Sequence, residues 1–469
     1  MAESKIKRNE ASANRIPASY RDPSGYVYKE NGRILRRLEH SYKEHYQRLI
    51  DSGLYEKLTA KGLLIKHTEL EMSTQELNGA FKVIQPELVP FLSHPLEWSF
   101  SQLQDAAIST LEIAMTSLEH NMILKDASAY NIQFHNGKAT LIDTLSFENY
   151  VEGHPWIAYR QFCEHFLAAL AIQSLTDFRL NSLLQHYIDG IPLDLAVRLL
   201  PMSAKLKPAL LMHLYMHADA QKRFEGKSTK KSAANMSKLS LTALLDSLLS
   251  CVSSLKLNDK NSEWIDYYND TNYTDESLKA KQQIVSNLLR QLAPNTVWDC
   301  GANTGTFSRV AADIAPLVIS TDMDNLCVNR NYLNCKRDKI KNIIPLVLDL
   351  TVPSPAIGWN NQERQSFLER THVDVVLALA LIHHLAISKN IRLAMIAECF
   401  AKLGKHLIIE FVPKDDSQVQ RLLASREDIF DSYNKESFIQ EFSLYYELKE
   451  ELPIPNTNRT IFLFRVREN

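Results

Sequence analysis

From residue 281 onward, apolar runs of strand length alternate with segments whose apolar residues recur at helical spacing. "KQQIVSNLLRQL" (281–292) reads as a helix, "TVWDC" (296–300) as a strand, "TFSRVAADI" (306–314) as a helix and "LVIST" (317–321) as a strand. The helix-like "DNLCVNRNYLNC", the strands "NIIPLVLDL" and "VDVVLALAL", the helix "IRLAMIAECFAKL" and the strand "KHLIIEFV" continue the series. "EFSLYYELKEEL" adds a helix or a strand, and "RTIFLFRV" a last strand. Apolar strands separated by amphipathic helices predict an α/β fold with a mostly parallel sheet covered on both faces.

The pattern breaks upstream, where "RFEGKSTKKSAANMSKL" (223–239) is basic, polar and short of large apolar residues, as expected of a solvated connection. The helix-like "LTALLDSLLSCVSSL" (241–255) suits either neighbour. The expected organisation is a domain over 1–240, a connecting segment over 241–263 and an α/β domain over 264–469.

Composition narrows the classes further. The chain has 469 residues and a formal charge of -2, so bulk charge gives no strong signal for nucleic acid. Its six cysteines form no CxxC pair, which argues for reduced thiols and against a zinc or disulfide scaffold. "VVLALALI" (375–382) is too short to span a bilayer. A soluble, cytoplasmic protein without a membrane span is expected, with its oligomeric state left open.

The candidate chemistry begins at "DCGANTGTFS" (299–308), where Gly301 and Gly305 follow a strand and open a helix. Glycines here allow close approach of a ligand to the backbone and to the unpaired amides of the helix start. An ordinary strand-to-helix turn is the plain alternative; the spacing is neither GxGxxG nor a P-loop. Asp322 and Asp349 close the next two strands, and three carboxylates at three successive strand ends point to one crevice at the carboxyl edge of the sheet. Helix or turn capping is the competing role for both.

"VWDCGANTGTFS", "ISTDMD", "LVLDL" and "DVVLALALIHHL" together resemble the class I S-adenosylmethionine-dependent methyltransferase family, over about residues 264–469. The resemblance implies a Rossmann-like sheet and S-adenosyl-L-methionine as cofactor. By that likeness Asp299, Gly301, Asn303 and Gly305 form the loop beneath its methionine part. Asp322 holds the ribose, Asp349 lies near adenine flanked by Met323 and Leu350, and Leu379 sits after the fourth strand. Tyr273, like Trp264, Tyr267 and Tyr268, either completes the pocket or packs between domains. His384, with His383 as alternate, is the candidate base for an acceptor hydroxyl or ammonium, since an ordinary imidazole titrates near neutrality; a structural role for both is the alternative. Glu410 and Asp415 or Asp416 either bind a cationic part of the substrate or stay solvated. The residues after "KHLIIEFV" read as a lid.

In the first half, Asp126, Asn131 and Asp143 in "LKDASAYNIQFHNGKATLIDTL" are spaced as in the catalytic segment of the aminoglycoside phosphotransferase and protein kinase-like superfamily, which they resemble over about residues 80–180. The likeness implies an α+β domain and possible magnesium ligands. "DTL" stands where that superfamily has DFG, and "DPSGYVYKENGRI" supplies no glycine-rich phosphate lid. The expectation is a degenerate kinase-like or substrate-recognition domain, with no metal assigned. The whole chain then reads as a methyltransferase acting on a small-molecule or protein acceptor. A non-catalytic S-adenosylmethionine-binding or signalling protein, and a bifunctional methyltransferase-phosphotransferase, are the alternatives.

Overall fold

A computed structural model describes residues 15–73, 77, 79–224, 236–257, 274–424 and 426–467. The chain divides into two compact units, one drawn from 1–96, 100–258 and 356–365, the other from 97–99, 259–355 and 366–469.

In the first unit, strands β1 (Gly25–Glu30) and β2 (Arg33–Leu38) form a hairpin, turned by Asn31 and Gly32 at φ 49° and 76°. Two positive φ values twist the turn with the strands it joins. With β3 (His67–Glu69) and β4 (Lys82–Pro86) they make an antiparallel sheet ordered β1-β2-β4-β3. The long helix Phe100–Glu119 follows. Next come β5 (Met122–Leu124), the hairpin of β6 (Ile132–His135) and β7 (Lys138–Leu141), and β8 (Phe147–Asn149), which pairs with β5.

Residues 241–254, read from sequence as part of the connection, belong to the helix Lys238–Ser254 of this first unit. Its stripe Leu241, Leu245, Leu248 and Val252 is buried, and Gln104 Nε2 donates to the carbonyls of Val252 and Leu255 at 2.8 and 2.9 Å. An amphipathic helix goes where its apolar stripe is covered, which no local pattern names. The centre of the basic connection, 225–235, and Trp264, Tyr267, Tyr268 and Tyr273 lie outside the described residues.

The second unit carries the expected sheet. Strands β9 (Thr296–Cys300), β10 (Leu317–Asp322), β11 (Ile343–Val347), β12 (Val373–Ala378) and β13 (Gly404–Phe411) run parallel. "EFSLYYELKEEL" divides into the end of the helix Lys435–Phe442 and strand β14 (Tyr446–Pro453); β15 (Thr460–Val466) inserts antiparallel between β13 and β14. The order β11-β10-β9-β12-β13-β15-β14 reverses direction at β9. The core joins Val297, Val318, Ile343, Val375 and Ile408 to Val285, Leu288 and Leu289 of the helix Asp275–Leu292. Among the described residues no helix is long and apolar enough to cross a membrane, and all six cysteines are free.

Candidate functional site

Strand order reverses between β9 and β12, and at such a point the loops leaving the carboxyl ends diverge and leave a crevice. A crevice of about 330 Å³ lies there, lined by the ends of β9 to β12. Of the residues expected to hold a cofactor, Asp299, Gly301, Asn303, Asp322, Met323, Asp349, Leu350 and Leu379 line it, and so does His384. Gly305 does not; it sits at φ 84° with its Cα packed so closely on Asn331 that an added Cβ would lie 2.3 Å from Oδ1. Gly301, at φ 69°, would bring a Cβ to 3.2 Å from Leu381 Cδ1, so the loop is shaped by both glycines but opened to the crevice by the first.

Asp322 does not cap the helix that follows it, although, like Asp349, it closes a turn on the amide two residues on. Asp324 caps the helix Asn325–Asp338, accepting from the amides of Leu326 and Cys327 at 2.7 and 3.2 Å. The Asp322 carboxylate accepts instead from the amides of Asn303 and Asp324, both at 2.8 Å, which ties the first loop to the end of β10. Burial raises its pKa to about 6. Asp299 is buried deeper; Ser308 Oγ donates to it at 2.6 Å, and burial brings its pKa to about 6 as well, with Asp322 pushing the same way. Asp349 does close a turn, accepting from the amide and hydroxyl of Thr351 at 2.8 and 2.6 Å, yet it also faces the crevice.

Three further features of this site, at Lys281, Ala380 and Ser388, escaped the sequence reading. Lys281 lies on the floor, buried, with Nζ 2.6 Å from Glu410 and 4.7 Å from the Phe307 ring centroid. Glu410, expected to bind substrate or stay solvated, is fully buried between Lys281 and Arg459, and Asp416 is clamped by Arg459 at 2.8 and 3.0 Å. Among those acids only Asp415 remains exposed. Ala380 is held at φ 50°, a left-handed conformation that costs an alanine about 1–2 kcal/mol. Ser388 Oγ is buried at the crevice wall without a hydrogen-bond partner. The expected lid contains the helix Ser417–Leu423, whose Leu422 lines the crevice.

The two histidines part company. His384 opens a wide helical turn, His384–Ser388, and faces the crevice, whereas His383 is fully buried with both ring nitrogens unpartnered and does not line it. Burial, helped by the charge of Arg459, lowers the His384 pKa to about 4, so the ring is neutral at pH 7 rather than poised near its ordinary value.

The first unit brings its own trio together. The β6–β7 hairpin places Ile142 beside Asn131, with the Ile142 amide donating to the Asn131 carbonyl at 2.8 Å, and Asp143 follows directly. Asp126 accepts from the Ser128 amide at 3.0 Å and Gln161 Nε2 at 2.8 Å; burial, and then Asp143, raise its pKa. Arg36 of β2 is ion-paired with Asp143, and lies 3.6 Å from Asp22. Residues 356–365 also belong to this unit: Glu363 pairs with Arg21 at 2.9 Å, and Arg364 stacks 4.6 Å from the Tyr130 ring centroid.

No family model matches the chain. Over 476 residues it is 34% identical to the nodulation protein NoeA of Rhizobium meliloti (strain 1021), covering 100% of this chain and 99% of that protein. The chain belongs to the NoeA family. Among solved structures, this NoeA relative is similar to the N-methyltransferase NodS of Bradyrhizobium japonicum WM9 in complex with S-adenosyl-L-homocysteine, with 13% identity and a TM-score of 0.33 over 45% of this chain and 95% of that one. It is also similar to the magnesium protoporphyrin IX methyltransferase ChlM of Synechocystis PCC 6803 with bound S-adenosyl-L-homocysteine, with 16% identity and a TM-score of 0.31 over 44% and 93%. Scores this low leave the chemistry to be argued from the crevice itself.

Proposed function

We propose that this NoeA relative binds S-adenosyl-L-methionine in the crevice of its second unit and transfers a methyl group to a small-molecule or protein acceptor. The observation that carries the reading is the meeting of Asp299, Asp322 and Asp349 with the Gly301 loop around one crevice at the reversal of strand order. The residues fit such a ligand. The left-handed glycine leaves room for close approach, the two Asp322 oxygens keep lone pairs for a vicinal diol, and the Ser388 hydroxyl awaits a partner. Met323 and Leu350 supply apolar flanks for a purine.

When bound, S-adenosylmethionine supplies an already activated methyl group, so the work left to the chain is alignment, exclusion of water and removal of one proton. His384 is neutral and stands at the crevice, placed to accept that proton. Its depressed pKa makes it a weak base, suited to an acceptor whose proton is shed as the new bond forms. The first unit, a kinase-like scaffold in this reading, selects or holds the acceptor.

Calorimetry on the full chain tests cofactor binding, and incorporation of labelled methyl groups into candidate acceptors separates an enzyme from a non-catalytic sensor of the same ligand. His384→Gln should keep cofactor affinity and slow transfer about tenfold or more. Absence of any S-adenosylmethionine binding to folded protein would remove the proposal.

A further inference from the structure

We infer that Arg36 is a resident cation that takes the place of a divalent metal on Asp143, so that the Asp126–Asn131–Asp143 constellation of the first unit works without metal. This rests on the first unit alone and stands or falls apart from the cofactor reading.

The kinase-like resemblance implies magnesium held by the amide and the second acid, and the residues present do not fit it. Asp143 has little left to offer. Its Oδ1 accepts from the Leu145 amide at 3.0 Å and pairs with Arg36 Nη2, while Oδ2 accepts from Ser146 Oγ at 2.7 Å. Asp126 spends Oδ1 on Ser128 and Gln161. A hard dication needs about six oxygen ligands around it, and at Asp143 it would have to displace the Arg36 guanidinium from the Oδ1 that also accepts from the Leu145 amide.

The electrostatics point the same way. Arg36 is 8% exposed and its Nε is buried without a partner, so the guanidinium is committed to the acids beside its Nη2. Lys125, whose Nζ donates to Ser24 Oγ at 3.2 Å and lies 5.1 Å from the Tyr42 ring centroid, adds a second positive charge to the same neighbourhood. Tyr42 is fully buried there; burial and then Asp143 raise its pKa, while Arg36 acts against them. A dication arriving at Asp143 would face that guanidinium, which cannot lose its proton to make way.

The position of Arg36 explains why the pairing persists. It stands in the middle of β2, opposite Val27 of β1 and Ile84 of β4, so its backbone is fixed by a strand on each side. Only rotation of a buried side chain could free Asp143, and that would leave two acids without their counter-ion. Phosphoryl transfer that depends on a metal at Asp143 is therefore blocked by a residue built into the sheet, in addition to the missing phosphate lid. The constellation that remains, an acid and an amide beside a fixed guanidinium, suits recognition of a polar ligand better than group transfer.

Titration of the full chain with Mn²⁺, following free ion by electron paramagnetic resonance, tests the inference. The wild type should show no Mn²⁺ site that Asp143→Asn removes. Arg36→Met should gain about one site per chain, a gain that Arg36→Met/Asp143→Asn abolishes. Arg36→Lys keeps a cation in place and should titrate as the wild type does. A wild-type site lost in Asp143→Asn would overturn the inference, as would a folded Arg36→Met that gains nothing. If Arg36→Met fails to fold, the comparison of wild type with Asp143→Asn decides alone.

Discussion

The two units hold their acids in opposite ways. At the edge of the second sheet, Asp322 is fixed by two backbone amides, and among the described residues no cation is paired with it. In the first unit Asp143 is fixed by an amide, a hydroxyl and a guanidinium, and its charge is spent internally. Backbone amides orient a carboxylate but leave lone pairs and unneutralised charge, which a ligand's hydroxyl groups can use; a guanidinium takes both. On the proposed reading, similar residues at similar loop ends make an acceptor site in one place and a closed knot in the other.

The knot has a counterpart next to the crevice, and breaking it should have the largest effect. Glu410 neutralises Lys281 and Arg459 in a dry interior. Glu410→Leu removes that carboxylate and should cost about 3–5 kcal/mol of stability, read as a large fall in denaturation midpoint. A midpoint within a few tenths of the wild type would show that the cluster is wetter than its burial indicates.

The next test sets the two acids directly against each other. Asp322→Ala should weaken S-adenosylmethionine binding about 100-fold, since two hydrogen bonds to a charged acceptor are lost. Asp143→Asn should leave that affinity unaltered and act on stability alone. Equal effects of both variants on cofactor affinity would erase the distinction.

Protonation offers a gentler probe. Asp299 and Asp322 influence each other and titrate as a pair with pKa values near 6, raised from the ordinary value near 3.8. A ribose diol donates to the ionised form, so cofactor affinity should be full above pH 7 and fall about tenfold by pH 5. The stability contribution runs the other way: an acid whose folded pKa is raised favours the fold below its unfolded pKa, and that contribution is lost as pH rises through 6. Weaker binding at pH 5 thus cannot be ascribed to loss of fold at these two groups. Affinity that is flat from pH 7 to pH 5 would remove Asp322 from direct contact with the ligand.

What the sequence disclosed follows from the same physics. Asp299, Asp322 and Asp349 were legible because each ends an apolar run, and strand ends in a parallel sheet share one edge. Lys281 was missed although a signal existed: it stands between Leu278 and Val285 on the apolar stripe of its helix, where a lysine demands a buried partner. Glu410, that partner, lies far off in the chain inside β13 and shows no periodicity of its own. The strain at Ala380 left no trace, because alanine is not a residue that marks left-handed backbone. Nor did Arg36 stand out, since "RILRRL" does not alternate cleanly and its two adjacent arginines read alike; only pairing with β1 and β4 turns one of them to Asp143.

The smallest expected effect is the most discriminating. Ser388 Oγ is buried at the crevice wall without a partner, which costs the unliganded protein part of the hydroxyl's desolvation penalty. If a bound ligand supplies that partner, Ser388→Ala should change two quantities in opposite directions. The unliganded protein should become slightly more stable, by about 0.5–1 kcal/mol, because an unsatisfied polar atom is gone. Cofactor affinity should fall by a similar free energy, about threefold, because the ligand loses the hydrogen bond. A purely structural serine would move stability and affinity together, and a serine already satisfied by an ordered water would show no gain in stability. Paired thermal denaturation and calorimetry on the one variant therefore decide whether this wall of the crevice is shaped for a ligand, which is the property that separates it from the closed knot at Arg36.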